Sequence, residues 1–132
     1  MPVLDTVVLF GAVDPKDTTH DKSKRYLTRL SQPDYYLAGF AILEFDIVMK
    51  SRGLDHRERM LRHALLAKDY PASTDKVRPV SPTTLYLAAK IEGEERTDYF
   101  DAGVAAEAKA LDGGVVSTDR VFDKLKGIKR LW

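Results

Sequence analysis

The sequence predicts an α/β fold: an α/β/α sandwich whose short, mostly parallel sheet of four to five strands is flanked by helices. Strand-like and helix-like segments alternate along the chain. The strand-like ones are short continuous apolar runs, the pattern of strands covered on both faces. The size agrees. With 132 residues, 44% hydrophobic and 31% charged, the chain suits one domain over 1–132, large enough to bury a core without staples. No repeat or low-complexity tract divides it.

Each element has a local reason. PVLD at 2–5 reads as a strand and 7–13 as a short helix. Asp14-Pro15 stops that helix, because the residue before proline avoids helical backbone. Thr18 or Thr19 caps a helix over 20–30 that sends Tyr26, Leu27 and Leu30 toward a core. Residues 35–38 form a strand with one tyrosine ring inside and one outside. A helix over 40–51 carries Ile42, Leu43, Ile47 and Val48 and ends at Gly53. Asp55 caps the next helix, which runs to about 69, and 71–76 form a loop. Residues 77–80 are a candidate fifth strand. Ser81 caps a helix with Pro82 at its first position, and this helix fades near Gly93. A helix over 99–111 ends at Gly113-Gly114. Strands at 115–118 and 128–131 complete the chain. In parallel sheets of this kind, ligands bind beyond the carboxyl ends of the strands.

Composition removes several function classes. Cysteine is absent, which excludes a disulfide scaffold, cysteine-ligated zinc, iron–sulfur chemistry and thiol catalysis. The 21 basic and 20 acidic residues nearly cancel, so nucleic-acid binding must use a local patch. No apolar run approaches the ~20 residues of a membrane span. The opening MPVLDTVVLF lacks a basic leader and a cleavage site, so a cytoplasmic location is expected.

Four carboxylates stand in apolar surroundings: Asp5 in VLDTVVLF, Glu44 in AILEFDIVM, Asp101 in YFDAGVAAEA and Asp119 in VVSTDRVF. Burying an unpaired carboxylate costs several kcal/mol, on the order of a lost buried pair, so each needs a partner. Asp5 and Asp119 fall at strand ends, and Glu44 and Asp101 in the expected first turns of helices that reach the same edge. Hard oxygen ligands without His or Cys suit Mg²⁺ or Mn²⁺. Taken singly, each acid is read equally well as a helix cap or a salt-bridge partner.

These segments, in this order, resemble the PIN-domain nucleases, and among them the small single-domain toxins of the VapC type. VLDTVVLF is similar to the family's strand with Asp followed by Thr or Ser. AILEFDIVMKSRG is similar to its helix carrying a Glu. FDAGVAAEAKAL matches its Asp-Ala followed by small residues, and VVSTDRVFDKLKGIKRL its Thr-Asp, Phe and closing strand. The resemblance covers essentially the whole chain. It implies that Asp5, Glu44, Asp101 and Asp119 form an acidic quartet that binds Mg²⁺ or Mn²⁺, with Thr6 and Thr118 as accessory hydroxyls. Asp98, three residues before Asp101 and on nearly the same helix face, is an alternative ligand. Asp123 and Asp46 are read as solvated surface charges.

The resemblance further implies a metal-dependent endoribonuclease that hydrolyses RNA phosphodiester bonds and leaves a 5′-phosphate. It also implies a cognate antitoxin seated in an apolar groove near the active site, and a homodimer. The apolar residues of the helices at 20–30 and 40–68 are candidates for such a groove, or else face the core. Lys50, Arg52, Arg57, Arg59, Arg62 and Lys68 form a basic stretch that either contacts the RNA backbone or is a solvated helix face. His56 and His63 lack the i, i+4 zinc spacing, and with His20 they are expected in surface or packing roles. Other readings keep the fold but assign housekeeping RNA processing, or a catalytically silent binding module. An aspartyl phosphatase is disfavoured by Val7, where that chemistry places a second Asp.

Overall fold

A computed structural model describes all of residues 1–132. Four parallel strands, β1 (Val3–Leu4), β2 (Tyr36–Leu37), β3 (Gly114–Val116) and β4 (Lys129–Leu131), form one sheet in the order β2-β1-β3-β4. β1 is central: Val3 and Leu4 stand opposite Tyr36 and Leu37 on one side and Val115 and Val116 on the other. Seven helices cover it: α1 (Thr6–Val13), α2 (His20–Thr28), α3 (Gly39–Ser51), α4 (His56–Asp69), α5 (Ala72–Asp75), α6 (Pro82–Glu95) and α7 (Tyr99–Lys109). The result is the expected α/β/α arrangement with a parallel sheet.

One continuous cluster of 24 buried apolar residues joins these elements. Val3, Leu4, Val115 and Val116 are fully buried, which is why the strands read as unbroken apolar runs. Phe40, Phe45 and Phe122 are the largest fully buried side chains, and truncating one to alanine would cost about 3–5 kcal/mol. Local signals fix the outer helices. Asp55 and Glu58 form a reciprocal capping box on α4, and Ser81 accepts the Thr84 N–H ahead of Pro82 on α6. Such a cap contributes about 1 kcal/mol.

Several details differ from the sequence expectations. The segment 77–80 adds only an isolated bridge, Leu37 to Val77, so the sheet has four strands. Pro79 has no N–H with which to continue a ladder, and Ser81 already caps α6. Helix α3 buries Phe40, Ala41, Phe45 and Met49 and leaves Leu43 and Ile47 exposed. Apolar residues stand on every side of this helix, so periodicity alone does not choose its inner face. Thr19 precedes α2 without capping it, because Asp17 accepts both its N–H and its hydroxyl. Both Tyr35 and Tyr36 are half-buried. Tyr36 lies under Lys76 and Arg78, and Tyr35 beside Arg29. Trp132 packs on Tyr26 at 5.1 Å between ring centres. No helix is long and apolar enough to cross a membrane.

Candidate active site

The carboxyl edge of the sheet carries the acids. Asp5 directly follows β1, at the turn into α1, and its N–H bonds to the Val116 carbonyl of the neighbouring strand at 3.1 Å. It is only 4% exposed and forms the floor of the site. Asp119 follows β3 and stands at the surface, where it accepts the Val121 N–H at 3.0 Å and opens a short 3₁₀ turn. Asp98 caps α7 by accepting the Asp101 N–H at 2.9 Å. Asp101 is half-buried in the first turn of the same helix. Glu44 is also half-buried, but lies in the second turn of α3 rather than the first.

These five groups act on one another. Burial pushes the Asp5 carboxyl up to about 6, and the charges of Glu44 and Asp119 add to this against the Ser117 hydrogen bond. Burial also raises Glu44, with the charges of Asp98 and Asp119 adding. Asp101 rises to about 8, first through burial, then through its side-chain hydrogen bond and charge contact with Asp98 and the charges of Asp5 and Asp119. Residues 5, 44, 98, 101 and 119 therefore converge on one electrostatic centre. Both Asp98 and Asp101 belong to it.

None of the five forms a salt bridge. The nearby guanidinium of Arg130 is held by both oxygens of Asp123 at 2.9 and 3.1 Å. The donor set is thus all hard oxygen, and the one guanidinium whose charge reaches it, through Asp119, is paired with Asp123 instead. The Thr6 hydroxyl lies close enough to favour the Glu44 anion, yet its Oγ1 is buried without a well-formed hydrogen bond. A divalent Mg²⁺ or Mn²⁺ fits this set by charge and ligand type. As the side chains stand, no three acids are gathered at ion-holding distance; they converge within electrostatic reach.

One hydroxyl was assigned differently by the sequence. Ser117, fully buried, donates to Asp5 Oδ2 at 2.7 Å and accepts the Asp119 N–H at 3.0 Å. It ties two acids that are 114 positions apart in the chain. Thr118, expected as an accessory hydroxyl beside Asp119, is exposed and turns toward a neighbouring groove. That groove, about 950 Å³, has an apolar wall of Val7, Phe10, Val13, Phe45, Met49 and Leu54, with Arg52 and Arg62 at its rim. None of the five acids lines it; Thr118 is the link to the acidic centre.

The remaining candidates lie elsewhere. Asp46 is not a free surface charge: it accepts Arg59 Nε at 3.1 Å and meets His63 Nε2 at 2.9 Å, bracing α3 against α4. His20 Nδ1 contacts the Gly11 carbonyl at 2.8 Å, a packing role. Of the basic stretch, Arg59 is thus engaged internally, whereas Lys50, Arg57 and Lys68 are exposed. A second buried acid escaped the sequence reading. Glu107, 2% exposed, accepts the N–H groups of Gly39 and Phe40 at 2.9 and 3.2 Å. Its position between alanines in GVAAEAKAL was the available signal.

A parallel sheet with acids from separate segments meeting at its carboxyl edge defines a class of α/β protein with a candidate cation-binding centre. The chain belongs to the PIN domain family, whose model matches residues 3–128 and whose members are in general nucleases. Two solved structures share the fold. The crystal structure of FitAcB from Neisseria gonorrhoeae aligns with a TM-score of 0.74 at 19% identity, covering 98% of this chain and 96% of that one. The structure of FitAB bound to an IR36 DNA fragment aligns with a TM-score of 0.74 at 18% identity, covering 99% and 94%. At these identities the likeness is one of fold. No curated protein matches the chain.

Proposed function

We propose that the protein is a Mg²⁺- or Mn²⁺-dependent endoribonuclease, acting as the toxin of a type II toxin–antitoxin pair in the cytoplasm. The observation that carries the nuclease reading is that Asp5, Glu44, Asp98, Asp101 and Asp119 lie within charge range of one another and none of them forms a salt bridge. Family membership supports it. Asp5, Glu44, Asp101 and Asp119 would hold the ion, with Asp98 as the neighbouring acid. When bound, the ion lowers the pKa of a water, orients it toward the phosphorus and stabilises the leaving oxygen.

The chain's own residues prepare that chemistry. Ser117 fixes the Asp5 carboxylate by donating to Oδ2. Burial and the neighbouring Asp98 push the Asp101 carboxyl up, and a bound cation would favour its charged form. Glu44, beside the Thr6 hydroxyl, positions the attacking water. Hydrolysis would leave a 5′-phosphate and a 3′-hydroxyl. The exposed cations Lys50, Arg57 and Lys68 are available to RNA phosphates.

The antitoxin reading rests on the resemblance to VapC-type toxins, on the fold shared with FitAB, and on the apolar groove that adjoins the centre at Thr118. A homodimer of single-domain chains completes it. Cleavage of RNA with Mg²⁺ or Mn²⁺, abolished by chelator and by Asp5→Asn or Asp119→Asn, tests the enzyme. Undiminished cleavage in either variant would overturn the site. An adjacent reading frame whose product copurifies and inhibits would test the toxin role; without such a frame, an RNA-processing role would replace it.

A further inference from the structure

Helix α3 begins without a cap of its own. Its N-cap is Ala38, which offers no side-chain acceptor, where Ser, Thr, Asp or Asn would normally satisfy the free amides. The acceptor comes instead from 67 and 68 positions away, on α7: Glu107 Oε1 takes the Gly39 N–H and Oε2 the Phe40 N–H. The carboxylate is 2% exposed, and only those amides, the positive end of the helix and the Arg78 charge offset its burial.

Close contacts surround this link. A Cβ on Gly39 would lie 2.9 Å from Glu107 Oε1 and 2.5 Å from the Arg78 carbonyl. A Cβ on Gly103 of α7 would lie 2.2 Å from the Phe40 ring. Two glycines thus let α3 and α7 approach, and Glu107 ties them at that separation. A local cap would satisfy the same amides but would not join the two helices. These helices carry the acids of the centre, Glu44 on α3 and Asp98 and Asp101 at the start of α7.

We propose that Glu107 is a positioning residue: its carboxylate, bound to the Gly39 and Phe40 amides, sets the spacing of Glu44 from Asp98 and Asp101. This rests on the nuclease reading above for its consequence in catalysis, but the spacing itself is a property of the protein alone. Removing Glu107 loosens α3 against α7 and leaves all five acids of the centre intact.

The test separates capping from positioning. Glu107→Ala removes both; adding Ala38→Ser returns a local acceptor to α3 without the tie to α7. The double variant should recover thermal stability while binding Mn²⁺ about 10- to 100-fold more weakly by calorimetry, the range seen for groups that orient ligands. Its kcat for RNA should fall by a similar factor, with KM changed by less than about 2-fold. The absence of native cysteine allows nitroxide labels at Leu43→Cys and Tyr99→Cys, both exposed. Their distance distribution, narrow in the parent, should broaden in the double variant. Glu107→Gln, which keeps one acceptor, serves the same measurements if the alanine variants do not fold. Parent-like Mn²⁺ affinity and kcat in a folded variant, or an unchanged label distribution, would overturn the proposal. If the parent itself neither binds Mn²⁺ nor cleaves RNA, the nuclease reading falls, and the labels alone decide whether Glu107 holds the spacing.

Discussion

Two sets of carboxylates in this molecule behave oppositely. Asp46, Asp112 and Asp123 each face a cation: Arg59 and His63, the terminal amino group, and Arg130. All three are held below the ordinary carboxylate range, chiefly by hydrogen bonds from those partners. Asp5, Glu44 and Asp101 face other acids, and burial and like charge hold them above it. The first set is balanced within the chain and serves structure. The second is left for something outside the chain to balance, which is what a cation site requires.

The largest expected break in this contrast comes from neutralising the second set. Asp5→Asn and Asp119→Asn should lower RNA cleavage by at least about 100-fold, since metal assistance contributes several kcal/mol to the barrier; single-turnover cleavage with Mn²⁺ measures it. In the absence of metal the same centre should be a source of instability. The folded Asp101 carboxyl titrates near 8, above its ordinary 3.8, so the folded state binds this proton more tightly than the unfolded one. Stability from this group is therefore full below about pH 4 and is lost as pH rises toward 8. Asp101→Asn should flatten that part of the profile and raise the metal-free Tm at pH 8 by a few degrees, on the order of 1 kcal/mol. Thermal melts across pH, with and without Mg²⁺, check this. Mg²⁺ should stabilise the parent at pH 8 and have a much smaller effect on the variant. The smallest effect belongs to the balanced set. Asp46→Ala should cost about 0.5–1 kcal/mol, as partly exposed ion pairs do, and leave Mn²⁺ affinity unchanged by calorimetry.

Much of this was legible in the residues. Continuous apolar runs marked the strands, Asp55 and Ser81 marked the helix starts, and the apolar surroundings of Asp5, Glu44, Asp101 and Asp119 marked them as unusual. What escaped depended on where elements end and how they meet. The choice between Ser117 and Thr118 turns on β3 stopping at Val116. From there the chain sends one hydroxyl inward and the next outward, and the expected strand through 118 concealed this. Glu107 satisfied the same criterion as the other acids, but its purpose lies in amides on α3, a contact that sequence spacing does not reveal. The inner face of α3 was hidden because apolar residues occur on all of its sides.

The central place of β1 has a consequence for how the acidic centre is assembled. Asp5 and the Ser117 hydroxyl that orients it are 112 positions apart in the chain. Strand β3, which completes the pairing of β1, is equally far from it in sequence. Such distant pairing forms slowly and late. A nascent chain that stops before Asp119 lacks part of the acidic centre and the strand that supports it. The acidic centre therefore forms only when these two distant segments come together, and from neither of them alone.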